Sequence, residues 1–176
     1  EFSVDRALIL ARIENDLGVT STYTVQLRNN TYNALSEKNI ESVREIRGLG
    51  HSIGLHQNPP SMRDSELIDY ISKDIETLEH YYGFEVDRFA FHRCGSNPKL
   101  LEKYVADSNH KWKYGHPLHT DYNSYPFKMQ LLTHPYSWSD GGYNNMPNFN
   151  RLIKERNNEL ITDMNTETNT FPQELL

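Results

Sequence analysis

The sequence predicts an α/β protein, a distorted or partial (β/α) barrel of about seven strands in a single domain spanning 1–176. Three observations predict it. Short apolar runs of period two alternate with apolar patterns of helical period, the order that yields parallel strands joined by helical crossovers. Glycines stand where the helical patterns stop, at Gly18, Gly48, Gly50 and Gly83. Polar reactive side chains close four of the expected strands, Asp5, His56, His92 and His134, and the carboxyl ends of parallel strands are where α/β proteins place ligands and chemistry. With 176 residues, 36% hydrophobic and 11% aromatic, the chain suits one domain with a core but is shorter than the ~250 residues of an eight-unit barrel.

Glu1 to Asp5 reads as a strand already under way, because Phe2 and Val4 are apolar at period two. The natural protein is therefore expected to begin further upstream. From Arg6 to Leu17 the residues Ala7, Leu10, Ala11, Ile13 and Leu17 fit one helical face, with Asp5 placed to cap it and Gly18 to stop it. Thr20 to Leu27, rich in β-branched and aromatic residues, predicts a second strand, and the polar run Arg28 to Ser36 a loop. Ser36 caps a helix carrying Ile40, Val43, Ile46 and Leu49 that closes at Gly48 and Gly50.

The third strand, Gly50 to His56, is the centre of the reading: a glycine turn, a short alternating run, and a histidine presented where the run stops. Beyond Pro59 and Pro60 a long helix starts at Asp64 or Ser65, carries Leu67, Ile68, Ile71, Ile75 and Leu78, and stops at Gly83. Arg88 to His92 predicts a fourth strand. A loop from Arg93 to Pro98, a short helix near Lys99 to Val105, and an irregular Tyr/His/Pro-rich stretch from Asp107 to Phe127, with room for one short strand, follow. Lys128 to Thr133 predicts a further strand ending in His134 and Pro135, Asn148 to Ile161 a helix, and the polar tail to Leu176 weak order.

Composition narrows the function classes. The net charge is −6 with no clustering of Lys and Arg, which argues against nucleic acid as a partner. Nothing approaches the ~20 apolar residues of a membrane span, and no signal-peptide pattern appears. The cytoplasm is the favoured compartment, with export after removal of a leader left open. A single cysteine, Cys94, excludes an internal disulfide framework and a cysteine-rich zinc site. Oligomeric state is not legible.

Three imidazoles and a carboxylate at strand ends on one barrel face would bind a divalent metal and leave positions open to water. Each of the four residues has a plainer reading as a capped, hydrogen-bonded strand end, and Asp5 also reads as a helix cap. His51 starts the third strand, at the opposite end from His56, and reads as structural. His80, His110, His116 and His119 fall on a helix face or in loops. Cys94 near His92 is the pattern of a thiolate pair, but a small residue in a glycine loop explains it better. Tyr114, Tyr122, Tyr125, Tyr136 and Tyr143, with Trp112 and Trp138, form either a carbohydrate-stacking platform or a cover for the barrel.

At these residues the chain resembles the polysaccharide deacetylase family, the carbohydrate esterase family four type, in its branch with an Asp-Val-Asp opening. SVDRALILARIENDLGVTSTYTV looks like the family's first strand, helix and Thr-rich second strand, and GLGHSIGLHQ like its Gly-His-Glu-Ile-Gly-x-His motif. RFAFHRCG stands where the family has Phe-Arg-Pro-Pro-Tyr-Gly, VADSNHKW resembles its Asp segment ending in Trp, and LLTHP its late Leu-x-x-His motif.

The resemblance implies a metal-dependent hydrolase that removes an N-acyl (acetyl) group from an amino sugar or related amide. Its partner would be a carbohydrate or sugar-derived small molecule, and its cofactor zinc, with cobalt, nickel or manganese as alternatives. Carried onto this chain, it implies Asp5 and His56 as metal ligands, His134 as general acid, Arg93 or His92 bordering the site, and Trp112 stacking on a sugar ring. Two positions depart from the family: its base Asp falls at Ser3 or Val4, and its second ligand His falls at Pro60. That leaves either a rearranged shell completed by His92 or His134, or a non-catalytic carbohydrate- or sugar-nucleotide-binding protein on a degenerate deacetylase scaffold.

Overall fold

Ser3 opens a helix. Its backbone is extended (φ −158°) and its Oγ accepts the Arg6 N–H at 3.4 Å, so α1 runs Val4–Asp16 with Asp5 in its first turn. The strand expected over residues 1–5 is thereby corrected at Val4 and Asp5, which are helical, while residues 1 and 2 lie outside the described residues: an apolar residue in a short alternation does not outweigh a serine cap followed by strong helix formers. This computed structural model describes residues 3–57, 64–92, 104–106, 116, 119, 130–135 and 145–168.

After α1 come β1 (Thr22–Val25), α2 (Glu37–Gly48), β2 (Ser52–Gln57), α3 (Asp64–Tyr82), β3 (Phe89–Phe91), β4 (Tyr104–Ala106), β5 (Gln130–Leu132) and α4 (Asn145–Glu167). Parallel pairing joins β1 to β2 and β2 to β3, with Val25 beside Leu55 and His56 beside Ala90. A second parallel pair, β4 with β5, makes its own two-stranded sheet.

The seven-strand (β/α) barrel is not what these elements build. Among the described residues there are four helices, one three-stranded parallel sheet and one two-stranded pair, and no closed sheet. Closure fails for local reasons among the described residues: Val4 and Asp5 belong to α1 rather than to a strand, and the described strands are only three to six residues long. The helix expected over 99–105 is also corrected, because Tyr104–Ala106 is strand β4, while 99–103 lie outside the described residues. α4 is longer than the pattern predicted, continuing to Glu167.

Helices α1, α2 and α3 lie side by side over one face of the three-stranded sheet. Strand alternation sends Val25, Ile53 and Leu55 to that face, where they meet Val43 and Ile46 of α2, and Leu78 and Tyr82 of α3, all nearly inaccessible. Each such side chain contributes about 1.5–3 kcal/mol of burial. His51, fully buried between the layers, accepts the Ser21 N–H at Nδ1 (3.1 Å) and donates from Nε2 to the Ala11 carbonyl (2.9 Å). It ties α1 to the strands in one tautomer. Gly50, at φ +94°, turns the chain out of α2 into β2, a conformation that a side chain resists.

Candidate functional site

The alternation that sends Leu55 into the core sends Thr24, Gly54, His56, Ala90 and His92 to the opposite face of the sheet. Gly54 is required there. A Cβ at this position would stand 2.9 Å from the Arg88 carbonyl oxygen and 3.3 Å from Thr24 Cγ2. The bare backbone lets Thr24 lean across the strand, and its Oγ1 lies 3.0 Å from His56 Nδ1.

The other ring nitrogen of His56, Nε2, lies 3.0 Å from Nδ1 of His92, with the rings edge to face at 5.1 Å. His92 is anchored through its own N–H to the Gln57 carbonyl at 2.6 Å. Thr24, His56 and His92 therefore form a hydrogen-bonded diagonal across three neighbouring parallel strands. One hydrogen stands between the two imidazoles. Either His92 Nδ1–H donates to His56 and His56 Nδ1–H to the Thr24 oxygen, or the Thr24 hydroxyl donates to His56 and His56 Nε2–H to His92.

A cavity of about 620 Å³ wraps the β1 side of the sheet: Thr24, His56, Ala90, Thr133 and His134 line it, and so do Val4, Ala7, Val43 and Ile53 on the helix-covered side. His56 and His134, 78 positions apart by their numbering, thus share one cavity. The cavity continues around the edge of β1 to Glu14 and Tyr23. Burial, reinforced by the hydrogen bond to Glu14, pushes the Tyr23 hydroxyl far above its ordinary pKa, so it stays a donor at any physiological pH.

Asp5 is not brought to the site. It sits in the first turn of α1 with its carboxylate 3.2 Å from Lys38 Nζ, away from the cavity wall. Among the described residues no group of three or more His, Cys, Asp or Glu is placed to share a metal ion, so Asp5, His56 and His92 do not form the expected ligand set. The pair of histidines offers two of the three protein ligands that a catalytic zinc takes; their nitrogens, 3.0 Å apart, share one hydrogen, which an ion would have to displace.

Of Ser3 and Val4, where the resemblance would put the base, Ser3 is the cap of α1 and Val4 its first residue. Pro60, Arg93, Cys94, His110 and Trp112 lie outside the described residues, as do the tyrosines and Trp138 of the expected stacking platform. His80 packs edge to face on Tyr81 near the end of α3, and His116 lies beside His119 at 5.6 Å. Sequence reasoning missed Thr24. The signal was present in the TYTV alternation: once β1 is registered on β2, Thr24 must share a face with Gly54 and His56.

Among the described residues no helix is long and apolar enough to cross a membrane. In comparisons with known proteins, no protein-family model, no curated protein and no solved structure matched the chain.

Proposed function

We propose that the chain is a divalent-metal hydrolase that removes an N-acyl group from an amino sugar or a related amide. The observation that carries this reading is the His56–His92 pair at neighbouring strand ends, with His134 on the same cavity as His56. The resemblance of GHSIGLH and LLTHP to deacetylase motifs supplies the reaction class. A divalent cation at the pair would acidify a bound water towards neutral pH. His56 and His92 would hold the ion through ring nitrogens, and the Thr24 hydroxyl, 3.0 Å from His56 Nδ1, would align the His56 ring from the far side. His134, on the wall of the same cavity, would protonate the departing amine. Asp5 has no part in this site.

The second reading, a non-catalytic carbohydrate- or sugar-nucleotide-binding protein, is favoured by one observation. The carboxylate expected to complete the metal shell is engaged with Lys38 instead. The two readings separate in one experiment. Metal content and acetate release from N-acetylated sugars are measured for the parent, His56→Ala and His92→Ala. The hydrolase reading expects near-stoichiometric metal in the parent, lost in both variants together with acetate release. A parent that binds no zinc, cobalt, nickel or manganese, yet binds sugar unchanged by chelator, leaves the binding protein in its place.

A further inference from the structure

Helix α4 meets the body of the protein through one face and leaves another uncovered. Inward point Asn148 and Leu152, both buried, together with Glu155, which pairs with the buried Arg6, and Glu159, which pairs with Lys38. On the opposite side Met146, Ile153, Leu160 and Met164 are 66, 59, 59 and 38% exposed. Met146, Ile153 and Leu160 recur every seven residues, with exposed Asn150 and Asn157 between them. A repeat of seven, with polar residues alternating along the seam, is the spacing of a helix made to lie against another helix.

We propose that this face pairs with α4 of a second copy of the chain, antiparallel about a twofold axis near Glu159. The choice of occupant rests on charge. Arg156 and Asp163 lie on the same flank of the stripe, seven residues apart and centred beside Leu160. A twofold axis there sets each arginine against the second copy's aspartate, twice over, whereas an unrelated helix would have to supply both charges in reverse order. Arg156 already bonds Glu159 of its own helix, so the contact extends an existing ion pair. The same axis sets Ile153 against the second copy's Met164 and Asn157 against its Leu160.

Because α4 ends at Glu167, the antiparallel overlap covers Ile153, Asn157, Leu160 and Met164 and leaves Met146 outside it, which makes the contact a small one and the association weak. The pairing is independent of any metal or acyl chemistry.

Sedimentation velocity over a micromolar concentration series tests it. The full chain should move from monomer to dimer, and Ile153→Lys with Leu160→Lys should hold it monomeric with unchanged helicity by circular dichroism. Arg156→Asp and Asp163→Arg should each weaken association about tenfold, and the two together should restore it, since the charges are then exchanged across the axis. A parent that stays monomeric throughout overturns the proposal. So does a dimer that survives the lysine pair, or one that the double charge reversal fails to rescue.

Discussion

His56 is held at both ring nitrogens, and the hold depends on a residue with no side chain. Gly54→Ala would drive a methyl group against the Arg88 carbonyl at 2.9 Å and Thr24 Cγ2 at 3.3 Å, and neither is free to retreat: one belongs to the β3 approach and the other to the bond with His56. We expect a loss of about 1–3 kcal/mol in urea unfolding. If the proposed metal binds at the histidine pair, its affinity should fall more than in Thr24→Val, since the glycine change presses on both the Arg88 carbonyl and Thr24 Cγ2 whereas the valine removes the hydroxyl alone. Unchanged stability would show that the strands can separate there. His51 makes the opposite case. Its ring nitrogens bond two backbone groups, the Ser21 N–H and the Ala11 carbonyl, in a fully buried position against the Tyr23 ring. His51→Ala strands both and opens a cavity, with an expected cost of about 3–5 kcal/mol by equilibrium denaturation. Metal content per folded chain should be unaffected, which separates the two histidines of GHSIGLH into one for the frame and one for the site.

α1 shows what helical periodicity decides and what it leaves open. The chosen face contained Ala7, Leu10, Ala11, Ile13 and Leu17; the structure buries Ala11 fully and packs Ala7 and Leu8 on the core, while Ile13 and Leu17 are 51 and 73% exposed. Two apolar stripes compete on this helix, and the one with small residues wins because α1 lies close against α2. Ala11→Leu should therefore cost about 1–3 kcal/mol by overpacking, whereas Ile13→Lys and Leu17→Lys should each stay within about 0.5 kcal/mol; a strongly destabilised Leu17→Lys in thermal unfolding would contradict this facing. The same limit governed the first residues, where Ser3 carried a cap signal that a two-residue alternation was allowed to override. Elements with a long repeat and a glycine stop were legible: α2 and α3 end where Gly50 and Gly83 take positive φ, and β2 lies on the stretch that the glycine turn announced. Closure of a sheet was not legible, because it depends on edges meeting at long range. The proximity of His56 and His92 was legible as two strand ends, whereas the Thr24 contact required the register between β1 and β2.

On the scale of the molecule, α4 is joined to the first βα units by charge more than by packing, since Leu152 is its buried apolar residue while Arg6–Glu155 and Lys38–Glu159 span the join. That makes its attachment sensitive to acid. Partial burial works to raise the Glu159 carboxyl, but the hydrogen bond from Lys38 and the charge of Arg156 outweigh it and hold it below the ordinary carboxylate range. Lys38 moves the other way: burial works to lower it, while Glu159 and Asp5 keep it above its ordinary value. A carboxyl lowered in the folded state contributes stability that is present above its unfolded pKa, about 4.3, and is lost as pH falls through the folded value. A lysine raised in the folded state contributes below its unfolded pKa, about 10.4, and loses that contribution at higher pH, so the acid limb belongs to Glu159 alone. The effect on global stability should be no more than about 0.5 kcal/mol, because Glu159 is 34% and Lys38 60% exposed and solvent screens the pair. It should be visible locally. Hydrogen exchange in α4 should quicken relative to β2 as pH falls below about 4, after correction for the intrinsic rate, and molar salt should produce the same quickening at neutral pH. Glu159→Gln should already exchange fast at neutral pH and respond less to acid. Carrying the measurement out on the Ile153→Lys, Leu160→Lys background keeps any association through the outer stripe from masking the join. An α4 whose exchange ignores both acid and salt would mean that Leu152 and Asn148 hold it by packing, and that the ion pairs contribute nothing to its attachment.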